Sequence, residues 1–226
     1  MKKEITSASL MGAGAHYGYS RTRRHPTVTP YLYGSKDGSD IIDIDKIMPQ
    51  MEAASTFLGE LGAAGKVALF VGVKPEARAA VIDVASSLHQ PYVTERWIGG
   101  ILTNFGEIKR RIQKLEDMKE SRVSGEYAKY TKKEQLLLNR EMERLNKYFS
   151  GLIGMTKMPD VVIVVDSKKE HIAVLEAHKM NIPVIAIGNT DCSIKGIQYP
   201  IIANDSSVSS ITEILGILKH AFEGTK

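Results

Sequence analysis

Short apolar runs along the chain mark the strands of a buried sheet. Residues 66–73, 161–165 and 183–187 are almost continuously apolar, without the polar alternation of a strand that faces water on one side. Strands buried on both faces are typical of parallel sheets. Residues 92–94 and 199–202 are shorter strand candidates with the same β-branched and aromatic bias.

Apolar side chains at helical spacing predict helices between these runs. The predicted helices span residues 46–64, 77–89, 168–181 and 207–222. Gly65 is expected to end the first helix in the left-handed conformation, and Pro75 suits the first turn of the second. Residues 40–44 alternate polar and β-branched side chains and predict one more strand. Alternating strands and helices predict right-handed βαβ units, and therefore an α/β fold with a doubly wound, flavodoxin-like parallel sheet.

The charged segment 103–150 has a different apolar period. Its apolar side chains recur at intervals of three and four residues in two stretches, Phe105, Ile108, Ile112 and Leu115, then Leu138, Met142, Leu145 and Phe149. This spacing is that of the seam between coiled-coil helices. The polar residues 121–130 between the stretches contain Gly125, a helix breaker. We therefore predict an antiparallel coiled-coil helical hairpin.

The hairpin is predicted to be an insertion, because the strand–helix pattern resumes after it. Residues 1–102 plus 151–226 then form the α/β domain with a basic N-terminal arm, and residues 103–150 form the hairpin. The candidate helix caps in the hairpin are Thr103 or Asn104 for the first helix and Thr131, in a capping box with Glu134, for the second.

The composition excludes several classes of protein. With 226 residues, 43% hydrophobic and 25% charged, the chain is an ordinary globular sequence rather than a disordered one. Its longest apolar runs fall far short of the ~18–20 residues of a membrane-spanning helix, so no membrane partner is expected. Cys192 is the only cysteine, which excludes an internal disulfide and a Cys-based metal cluster. A reducing cytoplasmic location fits this.

The first residues bear on targeting. Residues 1–6 hold two lysines with no apolar segment behind them, which predicts that the chain has no signal peptide. An organellar transit peptide stays open, because residues 1–36 are basic and nearly free of acidic side chains.

Positive charge is concentrated in two segments of the chain. The net charge is +4, but residues 1–36, the N-terminal arm, hold six basic residues and one acidic residue. Residues 103–150 hold twelve basic and eight acidic residues, and the rest of the chain has an acidic excess. The pattern has two interpretations, a solvated surface or two patches that face a polyanion.

A glycine-rich stretch comes close to a nucleotide-binding fingerprint without matching it. Of Gly12, Gly14 and Gly18, the third stands one position late, and no predicted strand precedes them. Near Lys74 the upstream glycine of a Walker sequence is missing, and Pro75 stands where Ser or Thr would hold magnesium. A glycine-rich turn is the preferred interpretation, and no cofactor is expected.

Asp166 follows an apolar strand, where α/β enzymes often place a catalytic aspartate. We prefer a helix N-cap, in which Asp166 or Ser167 accepts hydrogen bonds from free backbone N–H groups. No two histidines stand four residues apart, and His16 could join Asp191 or Asp205 in a metal site only through the tertiary fold. We therefore predict neither a catalytic residue nor a metal site.

Trp97 is the only tryptophan and lies where the predicted hairpin leaves the domain. A hairpin can point in a fixed direction only if its junction is rigid. We therefore expect a packed indole at Trp97 and a tight turn at Gly99 and Gly100, with Phe105 opening the hairpin seam.

Motifs in order along nearly the whole chain carry a family resemblance. They are Gly14-Ala15-His16-Tyr17-Gly18, the basic stretch to Pro30-Tyr31, Ile41-Ile42-Asp43, Phe70-Val71-Gly72, residues 96–105, Thr131-Lys132-Lys133-Glu134, Pro159-Asp160, residues 166–172, Ile182-Pro183-Val184 and Tyr199-Pro200-Ile201. Residues 96–105 and 168–173 are the most specific. The chain resembles the bacterial form of small-subunit ribosomal protein number two, the universal "S two" family. It departs from the family at Tyr19, usually a histidine, and in the patterns of residues 22–26 and 189–191.

The resemblance implies a parallel α/β domain with a coiled-coil hairpin, bound to ribosomal RNA on the solvent side of the small subunit near the head–body junction. Neighbouring small-subunit ribosomal proteins are the implied protein partners. In bacteria the family also helps to dock the large multi-domain protein that recruits messenger RNA. The implied location is the cytoplasmic ribosome, or an organellar one, with neither enzymatic activity nor a small-molecule substrate. The alternative is a nucleotide- or phosphosugar-binding α/β enzyme, with its polar groups at the carboxyl ends of the strands.

The arm, the junction and the hairpin are the expected sources of RNA contacts. The candidate RNA-binding residues are Arg21, Arg23, Arg24, His25, Arg96, Asn104, Lys109, Arg110, Arg111, Lys114, Lys132 and Lys133, and those of the hairpin junction are Trp97, Gly99, Gly100 and Phe105. Three guanidinium groups within residues 21–24 repel one another unless solvent screens their charge or phosphate neutralises it. On the first hairpin helix the basic groups lie off the predicted seam.

Overall fold

A computed structural model describes residues 6–224 of the chain. The signal-peptide prediction rests mainly on residues 1–5, which lie outside the described residues. Across residues 6–224, every helix is too short or too polar to cross a membrane.

The described residues form strands and helices in an order that is mixed at first and alternates later. The strands are β1 (Tyr17–Ser20), β2 (Leu32–Lys36), β3 (Ser39–Ile42), β4 (Ala68–Val71), β5 (Tyr92–Val93), β6 (Val161–Val165), β7 (Val184–Gly188) and β8 (Tyr199–Ile202). The helices are α1 (Ser7–Gly12), α2 (Ile44–Ala63), α3 (Pro75–Ser87), α4 (Phe105–Val123), α5 (Lys132–Phe149), α6 (His171–Lys179) and α7 (Val208–Glu223).

The central sheet has five parallel strands in the order β5-β4-β6-β7-β8. In β4, β6 and β7 every residue is buried, as the continuous apolar runs predicted. β4 pairs with β6 from Ala68 opposite Val161, and β6 with β7 from Val162 opposite Val184. The chain is thus an α/β protein with a parallel sheet, as predicted.

Helices cover both faces of this sheet. Phe70, Ile163 and Ile185 belong to one buried cluster, which also contains the apolar faces of α2, α3 and α7. Leu69 and Val162, their neighbours along the strands, belong to a second cluster with α4, α5 and α6. Successive strand residues point to opposite faces, so a continuous apolar run supplies both clusters.

A second, antiparallel sheet has the order β1-β3-β2. The predicted strand at residues 40–44 lies here, not in the parallel sheet, and ends at Ile42. The Asp43 carboxylate accepts a hydrogen bond from the Asp45 backbone N–H and so starts α2 at Ile44. Asp37 and Gly38 both have positive φ in the two-residue β2–β3 turn, which the Asp-Gly pair favours. The β-hairpin formed by β2 and β3 was not predicted.

Two of the predicted helix ends are confirmed and one helix is shorter than predicted. Gly65 has a φ of +61°, and the Lys66 N–H donates to the Leu61 carbonyl across the end of α2. Pro75 is the first residue of α3. The predicted helix at residues 168–181 is α6, which begins only at His171 because a turn follows β6.

The helices α4 and α5 lie against each other. Their apolar side chains at Ile112 and Leu115 and at Met142 and Leu145 are buried in the second cluster, which continues onto the sheet. Lys114 Nζ on α4 lies 2.6 Å from a carboxylate oxygen of Glu141 on α5.

Of the helix caps predicted for α4 and α5, only that of α5 is observed. The predicted capping box at Thr131 and Glu134 is confirmed, with each side chain bonded to the other residue's backbone N–H. Asn104 stands at the N-cap of α4, but its side chain makes no capping hydrogen bond. Thr103 does not cap the helix either, because its hydroxyl donates to Glu176.

Candidate nucleic-acid interface

The N-terminal arm folds back onto the carboxyl ends of the parallel strands. The His25 backbone N–H donates to the Thr190 carbonyl at 2.8 Å, and the Tyr19 N–H donates to the Thr190 hydroxyl at 3.0 Å. After β8, the Asn204 backbone N–H donates to the Ala15 carbonyl at 2.9 Å. These bonds fix the place of the arm's arginines relative to the sheet.

Arg24 is held by a buried carboxylate. Its Nε donates to Asp40 Oδ2 at 2.8 Å, and an Nη of the same guanidinium bonds the other carboxylate oxygen. Ser35 bonds both partners. The hydrogen bonds from Arg24 keep the pKa of the buried Asp40 below its ordinary value, although burial alone would raise it. Arg24 therefore ties β3 to the arm.

Arg21 and Arg23 differ from Arg24 because both side chains are exposed. Within residues 6–224 neither forms an ion pair or a side-chain hydrogen bond. The Arg21 backbone N–H donates to the Gly38 carbonyl, and the Arg23 guanidinium lies 5.5 Å from the ring centre of Tyr19. His25 is half-buried and caps the next turn through the Thr27 N–H. The two exposed guanidinium groups are thus free to meet an anion.

The loop that leads into α4, residues 97–104, is assembled around one buried carboxylate, that of Glu176 on α6. Glu176 Oε1 accepts hydrogen bonds from Trp97 Nε1 at 3.1 Å and from the Gly100 N–H at 2.7 Å. Oε2 accepts from the N–H groups of Leu102 and Thr103 and from the Thr103 hydroxyl, each at 3.1 Å. The loop before α4 therefore wraps around one carboxylate, which holds the start of α4 in place.

Electrostatics keep this carboxylate charged. Burial opposes ionisation of Glu176, but the hydrogen bonds from Gly100, Thr103 and Trp97 outweigh it and lower the pKa below its ordinary value. Gly100 has a φ of +96°, a conformation that favours glycine. The predicted packed tryptophan is confirmed, since Trp97 is 6% exposed, and the exposed Gly99 and the half-buried Phe105 lie in and after the same loop.

The candidate basic residues on α4, on α5 and in the loop before α4 are exposed. They are Arg96, Lys109, Arg110, Arg111, Lys114, Lys132 and Lys133. Arg110 pairs with Glu107, and Lys114 pairs with Glu141. In the described part of the chain, Lys109, Arg111, Lys132 and Lys133 form no ion pair. The exposed Asn104 side chain is likewise without a hydrogen bond among these residues. No hydrogen bond or ion pair joins the arm's arginines to the hairpin in residues 6–224.

A second charged cluster lies at the carboxyl ends of the strands. Lys74 Nζ lies 3.0 Å from a carboxylate oxygen of Asp166 and 2.9 Å from one of Asp205. Burial disfavours its charge, but the carboxylates of Asp205 and Asp166 offset this and raise the pKa of Lys74 above its ordinary value. The Tyr19 hydroxyl lies 3.2 Å from Lys74 Nζ, so the cluster also contacts the arm.

Asp166 makes the predicted backbone hydrogen bond, but it is not the N-cap of α6. Its Oδ1 accepts from the Lys169 N–H at 3.0 Å within the turn after β6, whereas the N-cap position belongs to Glu170. Ligand atoms of Asp166, Cys192 and Asp205 lie within 4.8 Å of one another, which is a spacing that a metal ion could use. The ammonium of Lys74 already supplies a positive charge to both carboxylates.

The glycine-rich stretch is a turn, as expected. It runs from the end of α1 through Gly14, with a φ of +73°, into β1. This helix–turn–strand order is the reverse of the strand–turn–helix order of a dinucleotide fingerprint.

Comparison with known proteins identifies the family. The family model described as Ribosomal protein S2 matches residues 10–224. The chain belongs to this family. A relative from Chloroflexus aurantiacus, named small ribosomal subunit protein uS2, is 40% identical over 227 aligned positions, covering 100% of this chain and 95% of the relative.

Other relatives in the family carry the same name. The one from Sulfurimonas denitrificans is 42% identical over 207 positions, covering 92% of this chain and 80% of the relative. The one from Thermus thermophilus is 42% identical over 215 positions, covering 95% and 84%. The similarity thus extends over more than nine-tenths of this chain and at least four-fifths of each relative.

Three charged residues that join separate segments of the chain were not predicted from the sequence. Glu176 had a detectable signal, since it stands between Ala173 and Ala177 on the buried face of α6. Asp40 and Lys74 had none, because the partners that make their burial possible, Arg24 and Asp205, come together only in the folded chain. A charged residue on an otherwise apolar helix face, such as Glu176 on α6, predicts a buried group with specific polar partners.

Proposed function

We propose that the chain is a structural component of the small ribosomal subunit that binds ribosomal RNA and has no enzymatic activity. The family match over residues 10–224 carries this proposal, together with relatives of similar length named small ribosomal subunit protein uS2. The exposed side chains of Arg21 and Arg23 support it, because RNA-binding proteins use such groups to neutralise phosphates.

The alternative, a nucleotide- or phosphosugar-binding enzyme, has no support at the strand ends. There the ammonium of Lys74 already pairs with the carboxylates of Asp166 and Asp205. A nucleotide site would need a glycine turn that leads from a strand into a helix, whereas the glycine-rich turn here leads from α1 into β1. The cluster instead serves to join β6, the loop after β8 and the arm.

We infer a doubly wound, flavodoxin-like α/β domain, formed by residues 1–102 plus 151–226, and an inserted antiparallel coiled-coil hairpin, residues 103–150. Counted from β4, the parallel strands follow the order 2-1-3-4-5, which is the flavodoxin-like one. The hairpin part of the inference rests on the heptad-like spacing of the side chains that α4 and α5 bury.

The hairpin is proposed as one RNA contact, with its other surfaces turned to neighbouring ribosomal proteins. Lys109, Arg110, Arg111 and Lys114 are exposed on α4, and the exposed Lys132 and Lys133 open α5. The fixed junction around Glu176 supports this, since a rigid base keeps those charges in one place. We expect ultraviolet crosslinking of intact small subunits to yield RNA adducts within residues 109–114. Subunits that gave crosslinks elsewhere on the chain but none there would contradict it.

The arm is proposed as the second RNA contact. Arg21 and Arg23 are assigned to phosphates, which position a protein on RNA without reading its sequence. The Arg24 and His25 side chains already have protein partners and hold the other two in place, and Arg96 and Asn104 extend the same proposal to the junction.

Replacing Arg21 and Arg23 together by Ala is expected to weaken binding to small subunits and to lower its salt dependence. Losing two phosphate contacts should reduce the slope of log affinity against log salt by about one to two units. The measurement is cosedimentation of the full chain with small subunits that lack it, over a range of salt. The Lys179→Ala/Lys219→Ala variant, which loses equal charge elsewhere, should keep the wild-type slope.

Two results would count against these proposals. A wild-type slope in the arginine variant would remove the arm from the RNA contact. A wild-type chain that stayed in the free soluble fractions of a sucrose gradient would remove the ribosomal role altogether. We place the protein on cytoplasmic ribosomes, and ribosomes of an organelle are the less favoured alternative. Docking of a messenger-recruiting ribosomal protein is part of the same proposal.

A further inference from the structure

Tyr33 is an aromatic side chain that the fold leaves in solvent. It lies in β2 and is 82% exposed. The hydrogen bonds, ring contacts and cation–π contacts of residues 6–224 do not involve its side chain. Tyr17, also exposed at 56%, differs because its ring packs against His16. An aromatic ring in this position contributes little to the core, so its exposure calls for another explanation.

A β-bulge directs this side chain outward. Leu32 pairs with Ile42 and Gly34 with Ile41, so Tyr33 is the extra residue between two successive pairs. A residue in this position is left out of the ladder, and bulges commonly redirect a side chain at a sheet edge. β2 is an edge strand of the antiparallel sheet, so the ring has open space on its outer side. A Cβ added at Gly34 would also meet no atom within 4 Å.

The backbone on both sides of Tyr33 is fixed. The Leu32 N–H donates to the Thr29 carbonyl, and the Asp43 N–H donates to the Tyr31 carbonyl. On the other side the Ser35 hydroxyl is bonded by the buried pair of Arg24 and Asp40. The outward position of the ring is therefore built into the sheet and costs little further ordering on binding.

Exposed basic side chains predominate on and beside the sheet that carries Tyr33. Lys36 is exposed two residues after Gly34, and it forms no ion pair within the described residues. Arg21 is joined to the β2–β3 turn through its bond to the Gly38 carbonyl, and Arg23 follows in the same short helical turn. Asp40, on the neighbouring strand, is buried and neutralised by Arg24. An exposed aromatic ring beside unpaired basic groups is the combination that single-stranded nucleic acid recognises.

We propose that Tyr33 is a stacking platform for an unpaired base of the RNA whose phosphates Arg21 and Arg23 bind. This rests on the proposed function and adds to it a specific contact of a different kind. An edge strand can also accept a strand from a protein partner. The charges favour RNA, because the exposed basic side chains of Arg21, Arg23 and Lys36 outnumber the exposed carboxylate of the β2–β3 turn, that of Asp37.

The test compares three variants of the full chain in binding to small subunits that lack it. Tyr33→Phe keeps a flat ring and should bind within about twofold of wild type. Tyr33→Ala and Tyr33→Leu should each bind about tenfold more weakly, because stacking needs a ring and not merely apolar bulk. The salt slope of all three should equal that of wild type, since no phosphate contact is lost. Zero-length ultraviolet crosslinking should join Tyr33 to a nucleotide.

The results separate this inference from the function on which it rests. If Tyr33→Ala binds like wild type while Arg21→Ala/Arg23→Ala loses affinity and slope, stacking is wrong and the RNA-binding arm stands. If neither variant changes binding, the arm is wrong as well. A Leu variant that binds as well as the Phe variant, or a crosslink from Tyr33 to a protein, would assign the surface to a protein partner and overturn the stacking proposal.

Discussion

Replacing Glu176 by Gln is expected to lower the free energy of unfolding by about 3 kcal/mol or more at neutral pH. The carboxylate accepts five hydrogen bonds from the loop before α4. An amide nitrogen accepts none, so at least two buried donors lose their acceptor, at roughly 1–3 kcal/mol each. Urea unfolding followed by circular dichroism measures the loss, and Trp97 fluorescence reports on the junction itself.

The pH dependence of this effect has a definite sign. The pKa of Glu176 is lowered in the folded protein, so its contribution is present above the ordinary value of about 4.3 and is lost as pH falls through the folded-state pKa. The stability gap between wild type and Glu176→Gln should therefore narrow in acid. A gap that stayed constant from pH 7 down to pH 3 would contradict the assigned role.

Glu170 offers a matched control at the start of the same helix. It is also buried, but no residue among 6–224 donates a hydrogen bond to its side chain, and burial raises the pKa of its carboxyl to about 7. A raised pKa means that stability is lost as pH rises from about 4.3 through 7. Glu170→Gln should therefore be neutral in acid and stabilising at pH 8, the opposite of Glu176→Gln.

Lys74→Met is expected to cost about 3–5 kcal/mol of stability at pH 7. The change removes the ammonium from between Asp166 and Asp205 and leaves two buried carboxylates without a counter-charge. In the wild type the pKa of Lys74 is raised, so its contribution is complete below about pH 10.4 and is lost only above it. In the variant one carboxylate should regain its proton, so the deficit should shrink as pH falls.

A second substitution distinguishes lost charge balance from lost packing. Lys74→Met/Asp205→Asn should recover a large part of the stability, because it removes one of the two uncompensated charges. Asp166→Asn alone should be mild, since Asn tolerates the positive φ of this position and keeps an oxygen for the Lys169 N–H. If the double variant is no more stable than Lys74→Met, the side chain matters for its bulk and not for its charge.

The parallel sheet was predictable because burial on both faces leaves a direct trace in the sequence. β4, β6 and β7 are apolar at every position, and β8 was predicted with its observed bounds. The small antiparallel sheet was harder. β2 contains Gly34 and Ser35, is exposed along most of its length and carries a bulge, so neither propensity nor alternation marks it as a strand.

The site was predictable only where local sequence determines it. The capping box of α5 depends only on residues close together in the chain, and it was predicted. The packing of Trp97 was also predicted, but its partner Glu176 lies far away in the chain and was not. The pairing of Arg24 with Asp40 is a tertiary event, and it distinguishes one arginine from two others that look equivalent in the sequence. The same holds for Glu176, whose five donors lie more than seventy residues before it.

The arm is bonded to the loops after β7 and β8, so it can fold into place only after those loops have been synthesised. Chains emerge from the N-terminus, yet Ala15 and Tyr19 have partners at Asn204 and Thr190, near the other end. Strand β4 likewise can pair with β6 only after β6 has been made, ninety-three positions later at the first register pair. The basic arm therefore reaches its native place only when nearly all of the chain has been made. An incomplete or truncated chain would present those arginines without the geometry that positions them, so the arm reaches its native placement only in a finished protein.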